Sequence, residues 1–142
     1  MGYSELRKGR QSVVGGVYHL NFSTFNRCRY FENFWAGRFV CRCLQFCDER
    51  GWCRTIAFIV MPDHVHWLVQ PMSKDISELV RIVKEHCRKS AFEVRWNRGF
   101  YDRGIRSEED AIEVARYIIA NPKRANLVRH VGDYPHWDCI YL

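Results

Sequence analysis

No apolar run in this chain approaches the roughly 18 residues that a membrane-spanning helix requires. The stretch from Met1 to Gly16 is polar and basic and lacks the apolar centre of a secretory signal. No internal repeat, low-complexity run or linker interrupts the sequence, and its 142 residues fit one domain. There is no glycine loop of the phosphate-cradling kind and no Gly-x-Ser-x-Gly elbow, so those two chemistries have no foothold. Acidic residues are the scarcer charge, with 16 Asp and Glu against 22 Lys and Arg for a formal net charge of +6. That balance suits a polyanionic partner. The seven cysteines are odd in number and irregularly spaced, which argues against a secreted disulfide framework and for reduced thiols. The expected setting is the cytoplasm, which in a bacterium includes the chromosome, with no membrane attachment.

What is present is a globular composition, 47% apolar and 15% aromatic. Alternation over Val17 to Phe25 predicts a first strand. From Phe34 to about Arg50 a stripe of Trp35, Phe39, Val40, Cys43, Leu44 and Cys47 predicts a helix that Gly51 stops. Arg54 to Val60 and His64 to Gln70 read as a hairpin turning at Pro62-Asp63. A second helix is expected from Ile76 to about Trp96, capped by Ser73 or Asp75, and a further strand over Phe100 to Arg106. Ser107 with its acidic following turn predicts a third helix that runs to about Ala120 and ends at Pro122. The order implies an α+β sandwich, one antiparallel β-sheet with helices packed on a face. Residues 1–15 read as a basic N-terminal arm and 130–142 as an aromatic C-terminal tail of that one domain.

Two short patterns carry chemistry. In Met61-Pro62-Asp63-His64-Val65-His66-Trp67 the histidines flank one apolar residue, so a strand places both imidazoles on one face, roughly 7 Å apart. In Arg116-Tyr117-Ile118-Ile119-Ala120-Asn121-Pro122 the Tyr and Asn share one helix face, about 6 Å apart along the axis. Tyr117 lies off the apolar stripe of its helix, so it is exposed or turned towards a cleft. Two imidazoles and an amide oxygen can hold a divalent metal, and a phenol beside them can attack a phosphate. Basic residues recur around these patterns. Arg81, Lys84 and Arg88 lie off the stripe of the second helix, Arg103 and Arg106 precede the Tyr helix, and Lys123, Arg124 and Arg129 follow it. Such residues can track a phosphate backbone, while Trp96, Phe100 and Tyr101 can stack on unpaired bases. Cys41, Cys43, Cys47 and Cys53 are better read as core than as a zinc site, because Cys41 and Cys43 diverge on a helix. His19, His86, His130 and His136 fall in no evident constellation.

Four segments in order resemble the REP-associated tyrosine transposases, within the HUH-type single-tyrosine transposases. They are Gly16-Val17-Tyr18-His19-Leu20, Met61-Pro62-Asp63-His64-Val65-His66-Trp67-Leu68, Trp96-Asn97-Arg98-Gly99-Phe100-Tyr101-Asp102 and Arg116-Tyr117-Ile118-Ile119-Ala120-Asn121-Pro122. The resemblance implies a ferredoxin-like fold and cutting of single-stranded DNA beside palindromic hairpins. It implies His64, His66 and Asn121 as ligands of Mg²⁺ or Mn²⁺, Tyr117 as nucleophile, and a covalent 5′-phosphotyrosine. DNA contacts would fall to Arg7, Lys8, Arg10, Arg81, Lys84, Arg88, Arg103, Arg106, Lys123 and Arg124. Asp63 stands where the family often has Asn, a change expected to have little effect, although a carboxylate there can shift metal preference. Competing readings are a replication or conjugation nickase, a catalytically silent DNA-binding protein of repeat elements, and a metal-storage or sensor protein. A monomer and a homodimer are both compatible with the sequence.

Overall fold

A computed structural model describes residues 16–141. The arm residues Arg7, Lys8 and Arg10 lie outside the described residues. The chain runs β1 (Val17–Ser23), α1 (Phe34–Glu49), β2 (Cys53–Met61), β3 (His64–Pro71), α2 (Ile76–Lys89), β4 (Tyr101–Ile105), α3 (Glu108–Ile119), α4 (Asn121–Arg124) and β5 (Trp137–Cys139). The strands form one sheet in the order β4-β1-β3-β2-β5, with every neighbouring pair antiparallel.

Strand alternation sorts the side chains onto two faces. Tyr18, Leu20 and Phe22 of β1 join Val65, Trp67 and Val69 of β3 on one face, sealed by the apolar stripes of α1 and α2. Trp67 is fully buried there and donates Nε1–H to Thr55 Oγ1 at 2.9 Å, so its one polar atom is satisfied. The other face carries His19, Asn21, His64, His66 and Leu68 in the alternate positions. α3 covers part of it, packing Ala111, Val114, Ala115, Ile118 and Ile119 on Ile59, Met61, Leu68 and Ile105. The α+β class and the antiparallel sheet with a pair of helices, α1 and α2, packed on one face are as expected from the sequence. α3, on the opposite face, is what brings the Tyr helix over the histidines.

The helix starts follow local chemistry. Asn33 Oδ1 accepts from the Trp35 and Ala36 amides to open α1. Asp75 and Glu78 form a reciprocal capping box on α2. Ser107 Oγ accepts from the Asp110 amide ahead of three acidic residues in the first turn of α3.

Three details differ from the sequence expectations. α2 ends at Lys89 and not near Trp96. Ser90 is extended with ψ 170°, its Oγ accepts from the Phe92 amide, and Glu93 takes φ +47°. Val94 stays buried because its amide folds back onto the Cys87 carbonyl, so its apolar signal came from a turn. Trp35, counted in the α1 stripe, is 65% exposed and stacks edge-on against Phe34. The tail supplies a fifth strand: β5 pairs with β2, Val60 N–H donates to the His136 carbonyl, and the Tyr134 hydroxyl donates to the Val60 carbonyl.

Candidate active site

The β2–β3 hairpin turns at Pro62-Asp63 and delivers His64 and His66 to the half-covered face. Their ring centroids are 5.0 Å apart and nearly perpendicular. Each ring is held through Nδ1. His64 Nδ1 lies 2.7 Å from Asp63 Oδ1, a contact in which the ring donates from Nδ1 and points its other nitrogen, Nε2, away from the carboxylate. His66 Nδ1 lies 2.9 Å from His19 Nε2 on β1. When His66 donates in that contact, its Nε2 is left as a ligand atom.

Burial holds both members of the second contact neutral. His66 is pulled down to about 3, first by burial and then by its electrostatic surroundings, in which Arg124 and Arg27 are the permanent positive charges. His19 is pulled down to about 4 by burial and then by Arg103, its cross-strand partner. A neutral imidazole is the form that binds a metal.

Tyr117 reaches this pair from α3 in the same chain. Its ring lies 6.4 Å from the His66 ring, edge-on, and is 55% exposed. Arg124, on the short helix α4, donates to the Tyr117 carbonyl at 2.7 Å and holds its guanidinium 4.0 Å over the phenol ring. Together with Asn21, Tyr101 and Arg103, the residues His19, His66 and Tyr117 bound a cleft of about 500 Å³. Arg27 follows β1 in a left-handed conformation, φ +53°, and lies 3.7 Å from Asp63.

The donor set fits a divalent ion through His64 and His66. Among the described residues, no group of three or more His, Cys, Asp or Glu is arranged to hold a metal. Asn121 opens α4 and donates its amide Nδ2 to the Ile118 carbonyl at 3.2 Å.

The basic residues named from the sequence separate into two groups. Arg103 lines the cleft, Arg124 covers Tyr117, and Lys123 and Arg106 are exposed on α4 and after β4. Arg81, Lys84 and Arg88 belong to α2, which covers the opposite face of the sheet. Lys84 donates to the Asn97 and Gly99 carbonyls at 2.9 and 2.6 Å, and Arg88 is paired with Glu85 at 2.6 Å. Sequence reasoning missed His19 and Arg27. Only the β1–β3 register brings His19 to His66, and the sequence signal was a His between the buried Tyr18 and Leu20. Six of the seven cysteines are buried as free thiols, as core residues should be, and Cys28 is exposed.

A family model described as "Transposase IS200 like" matches residues 12–121. A Haemophilus influenzae protein named as a REP-associated tyrosine transposase is 26% identical over 144 residues, covering 89% of this chain and 81% of that protein. Among solved structures, a REP-associated tyrosine transposase bound to a REP hairpin superposes with a TM-score of 0.74 at 22% identity, covering 90% of this chain and 79% of that one. A transposase structure from Deinococcus radiodurans R1 superposes with a TM-score of 0.50 at 21% identity, covering 76% of this chain and 92% of that one.

Proposed function

The chain belongs to the IS200-like transposase family, and from that premise we propose a metal-dependent single-stranded DNA endonuclease and strand transferase that acts at repetitive palindromic hairpins. The reading is carried by one observation, the Tyr117 ring 6.4 Å from His66 in the same chain. Its likeness to a transposase bound to a REP hairpin supports hairpin DNA as the substrate.

In this reading Tyr117 Oη attacks the phosphorus in line. The Oη–P bond forms as the P–O3′ bond breaks, and the electron pair stays on O3′. The phenol gives up a proton and O3′ takes one up, leaving a 5′-phosphotyrosine and a free 3′-hydroxyl. The reverse attack by a 3′-hydroxyl reseals a strand, because the covalent link conserves the phosphodiester energy. His64, His66 and Asn121 would hold Mg²⁺ or Mn²⁺, which when bound polarises the scissile phosphate and offsets its developing charge. Asp63 and His19 orient the two imidazoles through Nδ1. Arg124 supplies positive charge beside the phenol. Arg103, Arg106 and Lys123, with the arm residues Arg7, Lys8 and Arg10, would contact DNA phosphates, in a protein working on the chromosome in the cytoplasm.

The test is a denaturing gel of labelled hairpin DNA incubated with the protein and Mn²⁺. A covalent protein–DNA band is expected that disappears with EDTA and with Tyr117→Phe. Tight, salt-sensitive binding with no such band on any of a panel of hairpins would replace this reading with that of a DNA-binding protein without nuclease activity.

A further inference from the structure

A second cleft, of about 570 Å³, opens beside the catalytic one. The two share a wall made by Asn21 and Tyr101, which are cross-strand partners on β1 and β4. The second cleft is lined by Arg27 and Arg98, and no carboxylate lines it. Of the three aromatics in the segment 96–101, Trp96 and Phe100 pack against the buried core, whereas Tyr101 is 60% exposed. An exposed aromatic on an edge strand lies between the catalytic cleft, which carries both Arg103 and Glu113, and a second cleft whose charged lining is cationic, so it offers a face for stacking with phosphate-binding charge on the second side.

The loop that presents Tyr101 is firmly tied down. Lys84 reaches up from α2 to bind the Asn97 and Gly99 carbonyls. Asn97 donates its amide N–H to the Ser23 carbonyl at 3.0 Å and its side-chain Nδ2 to Ser23 Oγ at 2.9 Å. Gly99 takes φ +72°, where a side chain would be strained. Half burying the Lys84 ammonium lowers its pKa, an electrostatic cost that its two carbonyl acceptors offset. The loop and its ring are therefore preorganised, which limits the ordering cost of binding.

We propose that single-stranded DNA leaves the catalytic cleft across Tyr101, with the base next to the cleaved phosphate stacked on its ring and the following phosphates held by Arg27 and Arg98. The inference rests on the nuclease reading and adds to it the track of the strand and the residue that grips a base. Stacking on one aromatic ring tolerates any base, so Tyr101 contributes affinity and register, not sequence choice.

The experiment uses the Tyr117→Phe protein and hairpin DNAs carrying 2-aminopurine at successive single-stranded positions around the cut site. Quenching is expected at one or two adjacent positions on one side of the cut. Tyr101→Ala should abolish it and weaken binding by about 5- to 150-fold, while Tyr101→Trp should retain it. Arg98→Gln should lower the salt dependence of binding by about one phosphate contact. Quenching unchanged in Tyr101→Ala, or no quenching on DNAs that form the Tyr117 adduct with the unmodified protein, would overturn the track and leave the nuclease reading standing. No adduct on any of these DNAs would overturn both.

Discussion

The two faces of the sheet are built from the same strands and do opposite things. One face is dry and closed: Tyr18, Leu20, Phe22, Val65, Trp67 and Val69 meet two amphipathic helices. The other is closed only where α3 lies on Ile59, Leu68 and Ile105, and beyond that helix it holds His19, His66 and an open cleft. Because side chains alternate, Trp67 and its neighbour His66 point into these two environments from one stretch of β3. The closed face supplies the rigidity against which the open face can hold imidazoles and a phenol in fixed relation.

The comparison breaks most sharply at Tyr117. Replacing it with Phe should remove adduct formation entirely, while stability stays within about 0.5 kcal/mol because the ring is an exposed one. Parallel gel and thermal-melt measurements read both, and a large loss of stability would deny the division between the faces. The converse is Trp67→Ala, expected to cost about 3–5 kcal/mol through the cavity it leaves and to remove the bond that Thr55 Oγ1 accepts, while its own donation to Asp48 stays. Urea unfolding measures it.

A smaller effect comes from pH. His19 and His66 are uncharged above about 6.5 whether the chain is folded or not. Below that value the unfolded chain takes up protons that the folded one, with values near 4 and 3, refuses. Stability is therefore expected to fall as pH drops from 6.5 towards 4, by about 1–2 kcal/mol per histidine at pH 5. The double variant His19→Gln, His66→Gln should flatten that slope in melts at pH 7 and 5. The smallest effect belongs to the outer surface of α2, where Arg88→Ala breaks an exposed pair with Glu85 and should leave the melting temperature unchanged.

Much of this was legible in the sequence, for physical reasons. The His-x-His pair was readable because strand period alone puts both rings on one face, and Tyr117 because it falls off the stripe of α3. Ser107 was readable as a cap, and the cap of α2 was narrowed to Ser73 or Asp75, because capping chemistry is local. What could not be read depends on register between distant segments. His19 meets His66 only through the pairing of Asn21 with His66 and of His19 with Leu68 across β1 and β3. The role of Asp63 as an anchor for His64 depends on the turn geometry. Lys84 reads as one of a row of DNA-contacting cations because nothing in the sequence shows a loop 13 residues later folding back to meet it. The end of α2 was missed because Ala91 and Val94 kept the helical rhythm after Ser90 had broken the helix.

The pairing of β5 with β2 bears on how the chain is made. β2 is rich in apolar residues, and its outer edge meets Trp137–Cys139, about 80 positions later in the sequence. During synthesis the four strands β1 to β4 are all available before this last one has been translated. Throughout that interval β2 presents an unpaired row of amides and carbonyls to any other extended chain nearby. The tail thus covers the long β2 edge and leaves the shorter β4 and β5 as the sheet's edges, and closing so long a loop makes that cover a late event in folding.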